Sequence, residues 1–168
     1  MKPVRFYLLA GIILICDQLS KWQVVRSLPY QESRPAIGRF LELTHTHNTG
    51  GAFSLFQAGN TVFIVVASLA IVALIYAFQR MKKPDLLVST ALSLALGGAL
   101  GNLLDRIRFG YVIDFFDIQG GTGRTLWPIF NVADSAITVG IVLLAWHFLF
   151  SRAPAPEDAA PGREPVKE

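Results

Sequence analysis

Charge is scarce in this chain. Only 16% of its 168 residues are Asp, Glu, Lys or Arg, against 52% hydrophobic residues. Soluble domains carry about 25% charged residues. The deficit, with a mean hydropathy of +0.46, points to a membrane protein. Cysteine is nearly absent. Cys16 stands alone, so no internal disulfide is available, and no Cys/His cluster has metal-ligand spacing. The net charge is only +3, with no basic stripe interleaved with aromatics. Nucleic acid is therefore not an expected partner. His45 and His47 fall two apart in a strand-like stretch, which reads as a polar strand edge; a zinc site needs more ligands than that.

What is present is a set of long apolar runs. A helix needs about 20 mostly apolar residues to cross the hydrocarbon core. Phe6 to Val25, Thr61 to Phe78, Leu86 to Leu104 and Ser135 to Phe150 meet that need or come near it. The first run is not read as a cleaved secretory signal, because no small-residue cleavage site follows Ile15. Four spans put both termini on one side. Lys2, Arg5, Arg80, Lys82, Lys83 and Arg152 lie on that side, and Arg26, Arg34, Arg39, Arg106, Arg108 and Arg124 on the other. The tally is even, but the tight cluster at 80–83 and the basic start favour termini inside. Residues 1–152 are expected to form one membrane domain. Residues 153–168, rich in Pro, Ala and charge, are expected to be a disordered tail.

The connection 28–59 holds a strand-like stretch at Arg39 to Thr44 and a turn signal at Asn48-Thr49-Gly50-Gly51. Ala52 to Phe56 is expected to return as a second strand, giving a small sheet at the membrane surface. The connection 105–133 is expected to hold a short helix or surface segment. Small residues repeat every four positions in the third span, at Ala91, Ala95 and Ala99 and at Ser93, Gly97 and Gly101. In lipid such a face lets helix backbones approach closely.

Polar residues converge on one end of the four spans. Asp17 and Lys21 lie four apart on one face of the first, and Asn102, Asp105 and Arg106 end the third. Asn131 and Asp134 open the fourth, while Asn48, Asp114 and Asp117 fall in the connections on that side. Ionisable groups at a bilayer are costly and by default suggest function. Each also has a structural alternative. Asp17 with Lys21 fits a plain ion pair, and Asp134 fits a first-turn acid favoured by the helix dipole. Asp105 with Arg106 fits the point where a span meets water, and Asp117 reads as a solvated loop charge. Their joint placement favours a site.

These residues resemble a known family. Asp17-Gln18-Leu19-Ser20-Lys21, Asn48-Thr49-Gly50-Gly51-Ala52-Phe53-Ser54 and the stretch from Gly97 to Arg106 look like motifs of lipoprotein signal peptidase, or signal peptidase II. Val112-Ile113-Asp114-Phe115 and Phe130-Asn131-Val132-Ala133-Asp134-Ser135 look like the segments bearing that family's two catalytic aspartates. His47 stands where an aromatic is frequent. The resemblance implies an all-α membrane protein with four transmembrane helices and a small extracytoplasmic β-sheet. It also implies a place in the bacterial cytoplasmic membrane, with both termini cytoplasmic and the site near the outer face. The implied activity is an aspartic endopeptidase that needs no cofactor. Its partners would be membrane lipids and lipid-modified prolipoproteins, cut just before the diacylglyceryl cysteine. Asp114 and Asp134 would be catalytic, with Asn48, Asn102, Arg106, Asn131, Asp17, Lys21 and Asp105 in supporting or substrate-binding roles. Two other readings stand beside it. A proton-coupled transporter predicts midplane acids and broken spans. A non-catalytic assembly subunit would use the small-residue face of the third span.

Overall fold

The computed structural model describes residues 3–50, 59–82, 85–120 and 124–150. Among the described residues, four helices are long and apolar enough to cross a membrane: α1 (Pro3–Ser27), α2 (Gly59–Arg80), α3 (Leu86–Phe109) and α4 (Val132–Phe150). The anticipated tail at 153–168 and the strand at 52–56 lie outside the described residues.

Helix α3 is the hub, packed against α1, α2 and α4. It starts at Asp85, whose side chain accepts from Val88 N, and ends at Gly110, whose φ of 81° suits a residue without a Cβ. Its small-residue face performs the close approach expected of it. A Cβ on Gly98 would collide with the Ala133 carbonyl of α4, and one on Gly101 would lie 2.5 Å from Asp17 Oδ2 of α1. Without glycine at 101, α1 could not bring Asp17 against α3. At the opposite end Phe6 stacks on Phe78 at 3.8 Å between ring centres, joining α1 to α2 beside Leu92 and Leu96.

An antiparallel sheet in the order β1-β2-β3-β4 covers the other end: β1 (Ser33–Ile37), β2 (Leu41–Asn48), β3 (Val112–Gly120) and β4 (Arg124–Thr125). The observed hairpin is β1–β2. It turns at Gly38 with φ 53°, closed by Phe40 N donating to Ile37 O. Pro35 is tolerated because β1 is an edge strand. The connection after α3 is strand rather than short helix, because β3 pairs with β2 along its length. A register shift between Leu43 and Thr46 sets Thr46 opposite Asp114. Such irregularities re-aim a strand where a site needs it.

Candidate active site

The site is built in two tiers. The lower tier is a buried ion cluster between α1 and α3. Lys21 Nζ lies 2.8 Å from Asp17 Oδ2 and 2.8 Å from Asp105 Oδ2, and donates to Asn102 Oδ1 at 3.1 Å. All three charged side chains are buried, so their remaining lone pairs need donors. Asp17 Oδ1 accepts from Ala133 N at 2.9 Å, and Asp105 Oδ2 from Ile113 N at 3.2 Å. Gln18 Nε2 donates to Asp105 Oδ1 at 2.9 Å and to Asp17 Oδ2 at 3.2 Å. Ala133 immediately precedes Asp134, and Ile113 immediately precedes Asp114. Each carboxylate of the cluster therefore pins the backbone next to one member of the upper pair.

The upper tier holds that pair. Asn131 and Asp134 bond reciprocally at the start of α4. Asp134 N donates to Asn131 Oδ1 at 2.8 Å, and Asn131 N donates to Asp134 Oδ2 at 3.3 Å. This is the capping-box arrangement, with an Asn/Asp pair in place of the usual Ser and Glu. Asn102 Nδ2 donates to Asp134 Oδ1 at 2.7 Å. Asn131 Nδ2 donates to Asp114 Oδ1 at 2.6 Å, and Asn48 Nδ2 to Asp114 Oδ2 at 2.9 Å. Asn131, fully buried, is thus the direct link between the two aspartates.

Asp114 is buried on β3, and its carboxyl is pushed up to about 7. Burial is the main cause, and the charge of Asp134 adds to it. Hydrogen bonds from Asn48 and Asn131, and the charge of Lys21, act the other way. Arg106 sits under the pair with its guanidinium 4.2 Å from the Phe63 ring centre, within electrostatic reach of Asp114, Asp134 and Asp105. Its Nη1 is buried and makes no hydrogen bond. Among the described residues it is a buried donor without an acceptor.

All nine residues singled out from sequence come to this end of the bundle. Asp105 and Arg106 are buried, not placed where a span meets water. Asp117 is also a correction. It is buried on β3 and accepts from Thr44 Oγ1 at 3.0 Å, because pairing with β2 covers it. His45 is buried as well, its Nδ1 2.9 Å from Leu28 O. His47 does behave as an aromatic: its ring stacks between Tyr30 at 4.3 Å and Tyr111 at 3.8 Å. Gln18 was not anticipated as a contributor; its signal was its place inside the motif Asp17 to Lys21.

Among the described residues, three clefts reach the upper tier or the side chains beside it. A polar one of about 280 Å³ opens on Asp114 between Asn48, His47 and Ile129. An apolar one of about 610 Å³ lies among α2, α3 and α4 and reaches Asn102 and Arg106. A third, of about 340 Å³, borders Asp134.

Residues 9–150 match the profile of signal peptidase (SPase) II. The chain belongs to the signal peptidase II family. It is 43% identical to the lipoprotein signal peptidase of Moorella thermoacetica over 95% of this chain and 99% of that one. Identity to the Desulforapulum autotrophicum lipoprotein signal peptidase is 42%, over 90% and 95% of the two chains. The fold matches a bacterial membrane enzyme solved by the in meso method at 2.3 Å, with a TM-score of 0.82 and 31% identity, covering 95% of this chain and 96% of that one. Signal peptidase II is an aspartic peptidase family that removes signal peptides from lipoproteins, and this chain is a multi-pass bacterial membrane member of it.

Proposed function

We propose that this protein cleaves the signal segment from diacylglyceryl-modified precursors just before the modified cysteine, using Asp114 and Asp134 to activate water. The observation carrying this reading is that Asn131 bridges the two carboxylates, its Nδ2 donating to Asp114 and its backbone N to Asp134, while burial pushes the Asp114 carboxyl up to about 7. Nearby carboxylates do not both ionise cheaply, so they share a proton. Asp134, in the first turn of α4 at the positive end of the helix dipole, suits the general base. Asp114 suits the acid. Water attacks the scissile carbonyl carbon as Asp134 takes its proton, and Asp114 gives its own to the carbonyl oxygen. Collapse breaks the C–N bond: the proton on Asp134 passes to the leaving cysteine amine, and one hydroxyl of the gem-diol returns its proton to Asp114. Arg106 Nη1 is free to hold a substrate carbonyl.

The large apolar cleft suits the signal segment. Phe63, Ala67, Ala70 and Ala77 on α2, with Ile137 and Ile141 on α4, line a path that ends at Asn102 and Arg106. Phe63 to Ala77 runs about 21 Å at 1.5 Å per residue, a helix-length groove with small residues on its wall. The site would face the outer side of the membrane, with both termini in the cytoplasm.

The test is cleavage of a purified precursor carrying a diacylglyceryl cysteine, with both products weighed by mass spectrometry. The lipid-bearing product is expected to begin at the modified cysteine with a free amine. Cleavage at another bond, or equal cleavage of the unlipidated precursor, would refute the assignment.

A further inference from the structure

The third cleft is used by nothing described so far. We propose that it is the subsite for the acyl chains of the modified cysteine. Its walls are Ile118 of β3, Trp127 and Phe130 of the segment entering α4, and Thr138 and Val139 of α4, with Asp134 at its border. Ser135, also on the wall, has its hydroxyl donated to Asn131 O. The surface is thus mainly apolar, yet it touches a catalytic carboxylate.

Three features select an acyl chain as the occupant. The α4 wall spans only Asp134 to Val139, about 7.5 Å, which is too short to seat a membrane helix. The groove also continues into lipid. At 100° per residue Val139, Val142 and Trp146 form one stripe down α4, and all three are more than half open or close to it, at 50%, 59% and 58% exposure. A chain leaving the cleft would follow that stripe into the bilayer without crossing polar surface. Finally, the position matches the chemistry. Under the cleavage reading above, on which this inference rests, the scissile bond is followed by the cysteine N, Cα, Cβ and Sγ, so the glyceride begins a few bonds from the dyad. A cleft bordering Asp134 meets that requirement. Ile137 and Ile141 lie about 160° round α4 from Val139, nearly half a turn, which gives the signal segment and the lipid separate exits.

The experiment compares two precursors identical except for chain length, dipalmitoyl and diacetyl, cleaved by full-length protein in nanodiscs. The readout is the ratio of kcat/KM for the long-chain over the short-chain substrate. Val139→Trp fills the cleft and is expected to lower that ratio roughly tenfold, in line with what apolar pocket changes do to discrimination. Trp127→Ala removes the opposite wall from a surface segment and is expected to lower it in the same direction. Ile141→Trp, in the larger cleft, is expected to slow both substrates alike and leave the ratio in place. An unchanged ratio in both Val139→Trp and Trp127→Ala, or a collapse in Ile141→Trp, overturns the assignment. Asp114→Asn in the same preparation separates the two proposals. Turnover by that variant sinks the cleavage reading itself, whereas an inactive variant with unchanged ratios elsewhere sinks only the acyl subsite.

Discussion

Asp114→Asn and Asp134→Asn are each expected to lower cleavage of a lipidated precursor by roughly 10³-fold or more, near the upper range of general acid–base contributions. Either change leaves an amide where a proton must be given or taken. Neither should unfold the protein. The raised value at Asp114 means that the folded state holds this proton more tightly than the unfolded chain does. Its stabilising effect is full below about 3.8 and is lost as pH rises through about 7. Above that pH Asp114→Asn removes a buried charge, so its thermal stability should equal or exceed that of the parent. Asp134→Asn keeps a carbonyl that can accept from Asn131 N and retain the helix start. Turnover within tenfold of the parent by either folded variant would remove the dyad.

Lys21→Met is expected to cost about 3–5 kcal/mol, the usual result of breaking a buried ion pair on one side. The side chain keeps its length, but Asp17 and Asp105 lose the ammonium that lies 2.8 Å from each. Activity should fall with stability, because those carboxylates hold Ala133 N and Ile113 N beside Asp134 and Asp114. Adding Asp105→Asn should recover part of the loss, since one stranded charge disappears while an acceptor for Ile113 N stays. A double-mutant cycle on thermal unfolding in detergent reads that coupling. Additive losses would show that the cluster does not act as a unit.

Three of the four spans were legible as charge-free apolar runs of near-membrane length, and the first was legible despite Asp17 and Lys21 within it. The convergence of Asp114 and Asp134 was legible through the motifs that hold them, and the Asn131–Asp134 spacing of three carries a capping signature in the sequence itself. The half of the cluster that joins Lys21 to Asp105 was not legible. Its i,i+4 half with Asp17 is local, whereas Asp105 belongs to α3, which α1 can approach only because Gly101 leaves room for the Asp17 carboxylate. Strand β3 was hidden for a different reason. Val112 to Phe115 are all buried, so the segment lacks the alternation that marks a half-exposed strand. The same pairing with β2 turned Asp117 inward against Thr44, which no local pattern in the sequence could signal.

A carboxyl-carbon NMR titration of aspartate-labelled protein, comparing the parent with Asp114→Asn and Asp134→Asn, tests the shared proton most directly. One resonance should titrate near about 7 in the parent and vanish in Asp114→Asn. In Asp134→Asn it should move to lower pH, because the neighbouring negative charge is gone. An Asp114 resonance titrating near 3.8 and indifferent to Asp134 would contradict the account.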